Sequence, residues 1–315
     1  AARAQNGERA GGRTRGSVAV VPLYGPIFPK ANLFTELSGA TSLSTFAATL
    51  RKLDADDQIS QIVIDVDSPG GSVELVPETA ELIRGLKTPT VAVANTEAAS
   101  AAYWLAAQAD ELVVTPSGAV GSIGVWAAHE DWSVHDANLG VRTTLISAGK
   151  YKVEGNPFGP LDDEARAAIQ ADVDAYYGMF VDAVAEGRRV PPQEVRDGFG
   201  QGRMVLAHAA VRMGMADRVA TLDQVVADAA AGIRRGRNLL GSRGEPVEPA
   251  EWGVTVGAPT ADAADGPGAA PETETPAAEW LRLLSRPKVR EMFAPSGDDS
   301  KVPALAGGET GKEEQ

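Results

Sequence analysis

The chain has 315 residues and is 43% hydrophobic, enough for one large domain or two small ones with a sizeable core. A net charge of −14 argues against general affinity for nucleic acid or anionic membrane surfaces. The absence of cysteine excludes disulfides, thiol catalysis and thiolate metal sites.

Residues 1–16, "AARAQNGERAGGRTRG", are polar and basic and read as a flexible arm rather than a signal peptide. From Ser17 the pattern becomes orderly. "SVAVVPLYGPI" is a strand bounded by Gly25 and Pro26. Thr41 or Ser42 caps a helix whose Leu43, Phe46, Ala47, Leu50 and Leu53 share one face. A buried strand follows at 61–66, then a helix at 77–87 with Pro77 in its first turn. The next strand, 90–95, leads into an alanine-rich helix opening at Ser100. Short strands are expected at 111–115, 121–126 and 141–147.

The longest helix is expected from Asp162, its cap, to about Glu186. Ala165, Ile169, Val173, Tyr176, Phe180 and Val184 recur along it at helical spacing. Helices at about 206–213 and 222–235 close the ordered part, and Arg234, Arg235 and Arg237 read as a solvated helix end. Strands alternating with helices make residues 17–236 an α/β domain. Residues 237–278 read as a disordered acidic linker rich in Pro, Ala and Gly. Residues 279–315 hold a short amphipathic segment, "EWLRLLSRPKVREMF", and a polar tail. No apolar run approaches the roughly 18–20 residues that span a bilayer, so no membrane span and a cytoplasmic location are expected.

Three segments carry residues suited to chemistry. "DVDSPGGSV" (65–73) follows a buried strand, and its adjacent glycines let the backbone turn sharply with its N–H groups unobstructed. Such N–H groups near a helix start suit an oxyanion hole, although a plain strand-to-helix turn has the same sequence. Ser100 sits at a helix start, where its hydroxyl serves as a cap or as a nucleophile, with the Ala101 N–H as a second oxyanion donor. "SAGKYKVEGNPFGPL" (147–161) offers Lys150 and Lys152. A lysine kept neutral by burial can deprotonate a serine, and spacing alone does not choose between the two.

Together these segments resemble a known family. "DSPGGSV", "EAASAAYWLA", "AVGSIGV" and "GKYKVEGNPF" occur in the order found in the signal peptide peptidase family of serine proteases. The resemblance covers about residues 17–230 and ends in "GRMVLAHAAVRMGMADRVATLDQVV". It implies a Clp protease/crotonase-like ββα superhelix in a single domain. Carried over by motif, it assigns Ser100 as nucleophile and Lys152, before "EGNPF", as general base. Ser122 would orient that lysine, and Gly71 and Ala101 would supply the oxyanion hole. This sequence reads "SAAYW" where cellular members often read "SGGYY", a change that retains the backbone N–H.

A rival Ser-His-Asp arrangement would draw on His129, His135 or His208, of which His129 is the plausible partner. The three scattered histidines give no metal-ligand spacing, so no metal and no cofactor are expected. Asp65 and Asp67 share one strand face beside the glycine turn and read as structural.

One copy of the domain, no evident anchor and an acidic tail look most like the head maturation (capsid assembly) proteases of tailed phages. The implied substrates are scaffold and capsid proteins, cut in the host cytoplasm or prohead interior. The alternative is a soluble bacterial peptidase that degrades signal-peptide remnants. By the same resemblance, active sites form where protomers meet, which implies a ring-like homo-oligomer. A reading of another class is a scaffold protein acting through Trp280, Leu281, Leu284 and Phe293 of its tail.

Overall fold

A computed structural model describes residues 17–31 and 39–233. The expected arm, linker and amphipathic tail lie outside these residues, as do Arg234, Arg235 and Arg237.

The centre is a parallel sheet. Strands β1 (Ser17–Tyr24), β4 (Ile59–Ser68), β5 (Thr90–Ala99), β6 (Glu111–Val114) and β9 (Arg218–Val219) lie side by side in the order β1-β4-β5-β6-β9. Parallel sheets need cover on both faces, and their strands read as near-continuous apolar runs. The run Ile62–Val66 in β4 alternates between two such layers. Ile62, Ile64 and Val66 face a large core with Leu23, Leu50 and Ile83, while Val63 faces a smaller one with Val91, Val93, Val113 and Val225. The expected α/β class forms, built on a largely parallel sheet.

Helix α1 (Leu43–Asp54) is capped by Ser42, whose hydroxyl accepts from the Thr45 N–H at 3.4 Å. It buries the predicted Leu43, Phe46, Ala47 and Leu50. Helix α2 (Val76–Arg84) carries Pro77 in its first turn. Helix α3 (Ala101–Ala106) is buried along its whole length. Its alanines let it lie close to the sheet, and its two large residues are anchored. The Tyr103 hydroxyl donates to the Met215 carbonyl at 3.0 Å, and Trp104 stacks on Phe180 at 4.7 Å between centroids.

Helix α4 (Ser133–Asn138) follows, then α5 (Asp163–Arg188), the long helix anticipated from its apolar spacing. Asp162 caps α5 as expected, accepting from the Ala165 N–H at 2.8 Å. The far end of α5 is pinned to the sheet. Arg188 and Asp217, both buried, form a two-pronged ion pair with both N···O distances 2.9 Å, and Asp217 also accepts from the Leu112 N–H at 2.7 Å. Short helices α6 (Pro192–Gly198), α7 (Ala207–Arg212) and α8 (Leu222–Ala230) complete the described chain, α8 with a reciprocal Thr221–Gln224 capping box.

Two expected strands come out differently. The strand placed at 121–126 is β7 (Ala119–Gly121), paired with β5 and with β8 (Met204–Leu206), and the chain beyond Gly121 is irregular. The stretch 141–147 forms no strand. Its Val, Thr and Ile residues have β-character, but the segment is exposed throughout and no strand among the described residues pairs with it.

Candidate active site

Ser100 stands at the junction of β5 and α3 in a conformation that L-residues avoid, with φ 52° and ψ −124°. It occupies the N-cap position yet makes no side-chain cap hydrogen bond, so the capping reading of this serine does not hold. A strained strand-to-helix turn of this kind lifts a serine hydroxyl clear of its own backbone. The surroundings hold the strain in place. The Ser100 N–H donates to the Gly121 carbonyl at 2.8 Å, and its carbonyl accepts from the Trp104 N–H at 3.0 Å.

Strand β5 sets up this junction by changing partners. Its first half pairs with β6 through Val91–Ala94, and its last residues, Glu97–Ala99, pair with β7. Opposite β4, the register slips between Val66 and Ser68 so that Ser68 meets Ala98. That slip carries the end of β5 alongside the glycine turn. Gly70 has φ 92°, and a Cβ there would stand 2.8 Å from the Ser100 Cβ and 2.9 Å from the Ala101 nitrogen.

Gly71 forms a single parallel bridge with Ile27 of β2 (Ile27–Phe28), which itself pairs with β3 (Thr41–Ser42). The Ile27 N–H donates to the Gly70 carbonyl at 2.8 Å, and the Ser72 N–H donates to the Ile27 carbonyl at 2.9 Å. In a parallel bridge these bonds come from the flanking residues, which leaves the Gly71 N–H directed to the opposite side. A Cβ at Gly71 would fall 2.2 Å from the Ile27 carbonyl oxygen, so only glycine fits. The Ala101 N–H, first in its helix, has no intrahelical acceptor. Ser100, with the backbone of residues 70, 71 and 101, thus forms one cluster.

The cluster opens into a cleft of about 800 Å³. One wall is the glycine turn through Glu74, another is Ser122 with Gly124–Ala127, and a third is Ile169, Asp172, Val173 and Tyr176 of α5. Ser122 also has positive φ, 53°, and its N–H donates to the Arg203 carbonyl at 3.0 Å. Ile169, Val173 and Tyr176 belong to the apolar set that recurs at helical spacing along α5. They share one face, but they are half-buried and line the cleft. The interposed Asp172 is the one sequence sign that this part of the face is wet.

Other anticipated residues lie elsewhere. Lys152 is exposed on the turn after Gly149 and is not among the residues lining the cleft. Lys150 pairs with Glu164 at 2.8 Å and with the Tyr151 hydroxyl at 2.7 Å, contacts that raise its pKa and favour the charged form. His129 borders an adjoining hollow and its Nε2 meets the Asn156 carbonyl at 2.9 Å. Neither His129, His135 nor His208 lines the Ser100 cleft. Asp65 is buried and accepts a hydrogen bond from the Tyr24 hydroxyl, while Asp67 is exposed, and neither reaches the cleft. The described residues contain no cluster of potential metal ligands and no helix long and apolar enough to cross a membrane.

Residues 84–234 match Peptidase family S49. Residues 28–118 match the Clp protease family, so the two matches overlap across β5 and Ser100. The resemblance to signal peptide peptidases and phage proteases holds, since curated relatives of both kinds match. The chain is 31% identical over 260 residues to the capsid assembly protease C of Escherichia phage lambda, covering 82% of this chain and 58% of that one. It is 35% identical over 175 residues to the head-tail preconnector protein GP5 of Enterobacteria phage P21, covering 55% and 35%. A cellular relative, Protease 4 of Haemophilus influenzae, is 26% identical over 185 residues, covering 58% and 30%. The matched region thus spans between about a third and three-fifths of the length of these relatives. Among solved structures, a membrane-bound stomatin-specific protease aligns with TM-score 0.42 at 14% identity, covering 67% of this chain and 84% of that one.

Proposed function

We propose that the protein is a serine endopeptidase that cuts scaffold and capsid proteins during phage head maturation, with Ser100 as nucleophile. The observation that carries this reading is the strained Ser100 held against the Gly70–Gly71 turn at the mouth of a cleft. The phage relatives support the choice of substrate class.

In the proposed reaction, a neutral lysine amine removes the Ser100 hydroxyl proton as Oγ bonds to the peptide carbonyl carbon. The resulting oxyanion accepts hydrogen bonds from the Gly71 and Ala101 N–H groups. The lysine then hands its proton to the leaving amine as the C–N bond breaks. Water, deprotonated by the same lysine, releases the acyl group and restores Ser100. Ser122, on the cleft wall, orients the lysine.

Lys152 is assigned as that lysine by its motif, and Lys150 is disfavoured because Glu164 stabilises its charged form. Since Lys152 does not line the Ser100 cleft of its own chain, a neighbouring copy supplies it. Exposed apolar side chains support such an assembly: Trp126 at the cleft wall is 84% exposed and Ile146, ahead of the lysine segment, is 96% exposed, areas that a second copy would cover. Removal of signal-peptide remnants is the competing role for the same chemistry.

The test is digestion of a scaffold protein and of a signal peptide by the wild type, Ser100→Ala and Lys152→Ala. Scaffold cleavage by the wild type alone is expected. Normal cleavage by either variant would overturn the site assignment, and cleavage of the signal peptide alone would overturn the substrate.

A further inference from the structure

The Ser100 cleft has a marked charge character. Two carboxylates border it, Glu74 behind the glycine turn and Asp172 on α5, and no lysine, arginine or histidine of the described residues lines it. Both are exposed to solvent. The Ser72 hydroxyl donates to the Glu74 carboxylate, which holds that group below the usual carboxylate range and keeps it ionised at mildly acid pH. The remaining wall is largely apolar, with Val73, Val125, Ile169 and Val173. Arg166, six residues before Asp172 on α5, borders the adjoining hollow instead.

Two like charges at one concave site add their fields, and apolar walls concentrate them. A substrate carboxylate entering the cleft is repelled by both groups. An ammonium or guanidinium group is attracted, while apolar neighbours in the same substrate pack against Ile169 and Val173. We propose that Glu74 and Asp172 make this cleft select segments with a lysine or arginine within a few residues of the scissile bond, set among apolar residues, and reject segments with Asp or Glu there. The inference rests on the proteolytic reading above and adds a sequence preference to it. Because both groups are solvated, screening limits the expected preference for basic over acidic segments to about tenfold at low salt.

The experiment has two arms. In the first, unfolded casein is digested by the wild type and by the double variant Glu74→Gln/Asp172→Asn, and cut sites are mapped by mass spectrometry. In the second, the Ser100→Ala protein is titrated with two labelled apolar peptides, identical except for paired lysines or paired glutamates, at low and at 0.5 M salt by fluorescence anisotropy. Enrichment of Lys and Arg around wild-type cuts, its loss in the double variant, and salt-sensitive preference for the lysine peptide are expected.

Cut sites with no charge bias, or a bias that survives in the double variant, would overturn the proposal while leaving proteolysis intact. An unchanged cut-site profile with a displaced pH optimum would also overturn it, by showing that the carboxylates act on the catalytic lysine rather than on substrate. Absence of wild-type cutting together with tighter binding of the lysine peptide would sink the proteolytic reading and uphold the charged cleft.

Discussion

Gly70 lies so close to Ser100 that an added Cβ would stand 2.8 Å from the serine Cβ, 2.8 Å from the Ala99 carbonyl oxygen and 2.9 Å from the Ala101 nitrogen. Two of these neighbours are backbone atoms of the β5–α3 junction and cannot swing aside. Gly70 also has φ 92°, which strains any other residue. Gly70→Ala should therefore push the turn away from Ser100 while leaving the distant core intact. The expected outcome is a loss of peptidase activity on the order of 10²–10³-fold, the scale of one lost oxyanion donor. Circular dichroism of the variant should still match the wild type, and wild-type turnover by it would remove the turn from the mechanism.

The Ser100 backbone is strained, at φ 52° and ψ −124°. Non-glycine residues held at such angles cost about 1–3 kcal/mol. Ser100→Ala and Ser100→Gly should both be inactive, but they should differ in stability. Alanine keeps the strain, whereas glycine relieves it at an unfolded-state entropy cost below about 1 kcal/mol. Denaturant melts should place Ser100→Gly about 1 kcal/mol above Ser100→Ala. Equal midpoints would mean that the junction relaxes when the hydroxyl is removed.

Much of this arrangement is legible in the sequence, because its elements are set by local physics. Ile62–Val66 is an apolar run that only a doubly covered strand accommodates, and the Asp162 cap and the spacing from Ala165 to Val184 both announce α5. Gly70, Gly71 and a serine opening a helix suit an oxyanion hole and a nucleophile by residue chemistry, but each also reads as a plain turn or cap, and only the family resemblance joins them. What escapes is whatever depends on distant chain segments. Residues 141–147 have strand-like composition but meet no strand edge among the described residues. Ile169, Val173 and Tyr176 look like core because periodicity reports which side of a helix is apolar, not whether that side meets a sheet or a cleft. The register slip between Val66 and Ser68, which brings the glycine turn to Ser100, has no local signature.

The Arg188–Asp217 pair fixes the end of α5 opposite its cleft-lining turns. Burial works against the Arg188 charge, but the paired Asp217 hydrogen bonds and charge outweigh it and raise its pKa. Removing one partner leaves the other buried without compensation, a loss of about 3–5 kcal/mol. Asp217→Ala additionally strands the Leu112 N–H in the sheet. That variant should melt well below the wild type and lose peptidase activity before global unfolding, as α5 detaches from the cleft wall. Activity that follows the global melt would show that α5 is held from its other contacts.

Alkaline pH should act through Tyr24. Its hydroxyl donates to Asp65, and that bond, followed by desolvation and the charge of Asp65, raises its pKa to about 12. The folded state thus favours the protonated phenol. The associated stability is complete below the ordinary tyrosine value of about 10 and disappears as pH rises toward 12. Tyr24→Phe should be less stable than the wild type at neutral pH, with the gap closing over that window. Absorbance titration should show one late-ionising tyrosine missing from the variant. A constant gap up to pH 12 would disconnect Tyr24 from Asp65.

The separation of Lys152 from the Ser100 cleft yields the sharpest test of the catalytic proposal. If each site takes its serine from one copy and its lysine from the next, Ser100→Ala and Lys152→Ala are inactive for complementary reasons. Mixing the two at equal amounts, with exchange of subunits, creates sites that have an intact serine and an intact lysine. Random assembly around a head-to-tail ring gives each site one chance in two for either residue, so about a quarter of wild-type activity should return. Lys150→Ala should retain activity, because its ammonium is engaged by Glu164, and His129→Ala should do the same. A mixture that stays inactive while light scattering shows exchanged oligomers would rule out the shared site. Loss of activity in His129→Ala would instead bring the histidine arrangement back, and would require the Asn156 contact of its ring to open before catalysis.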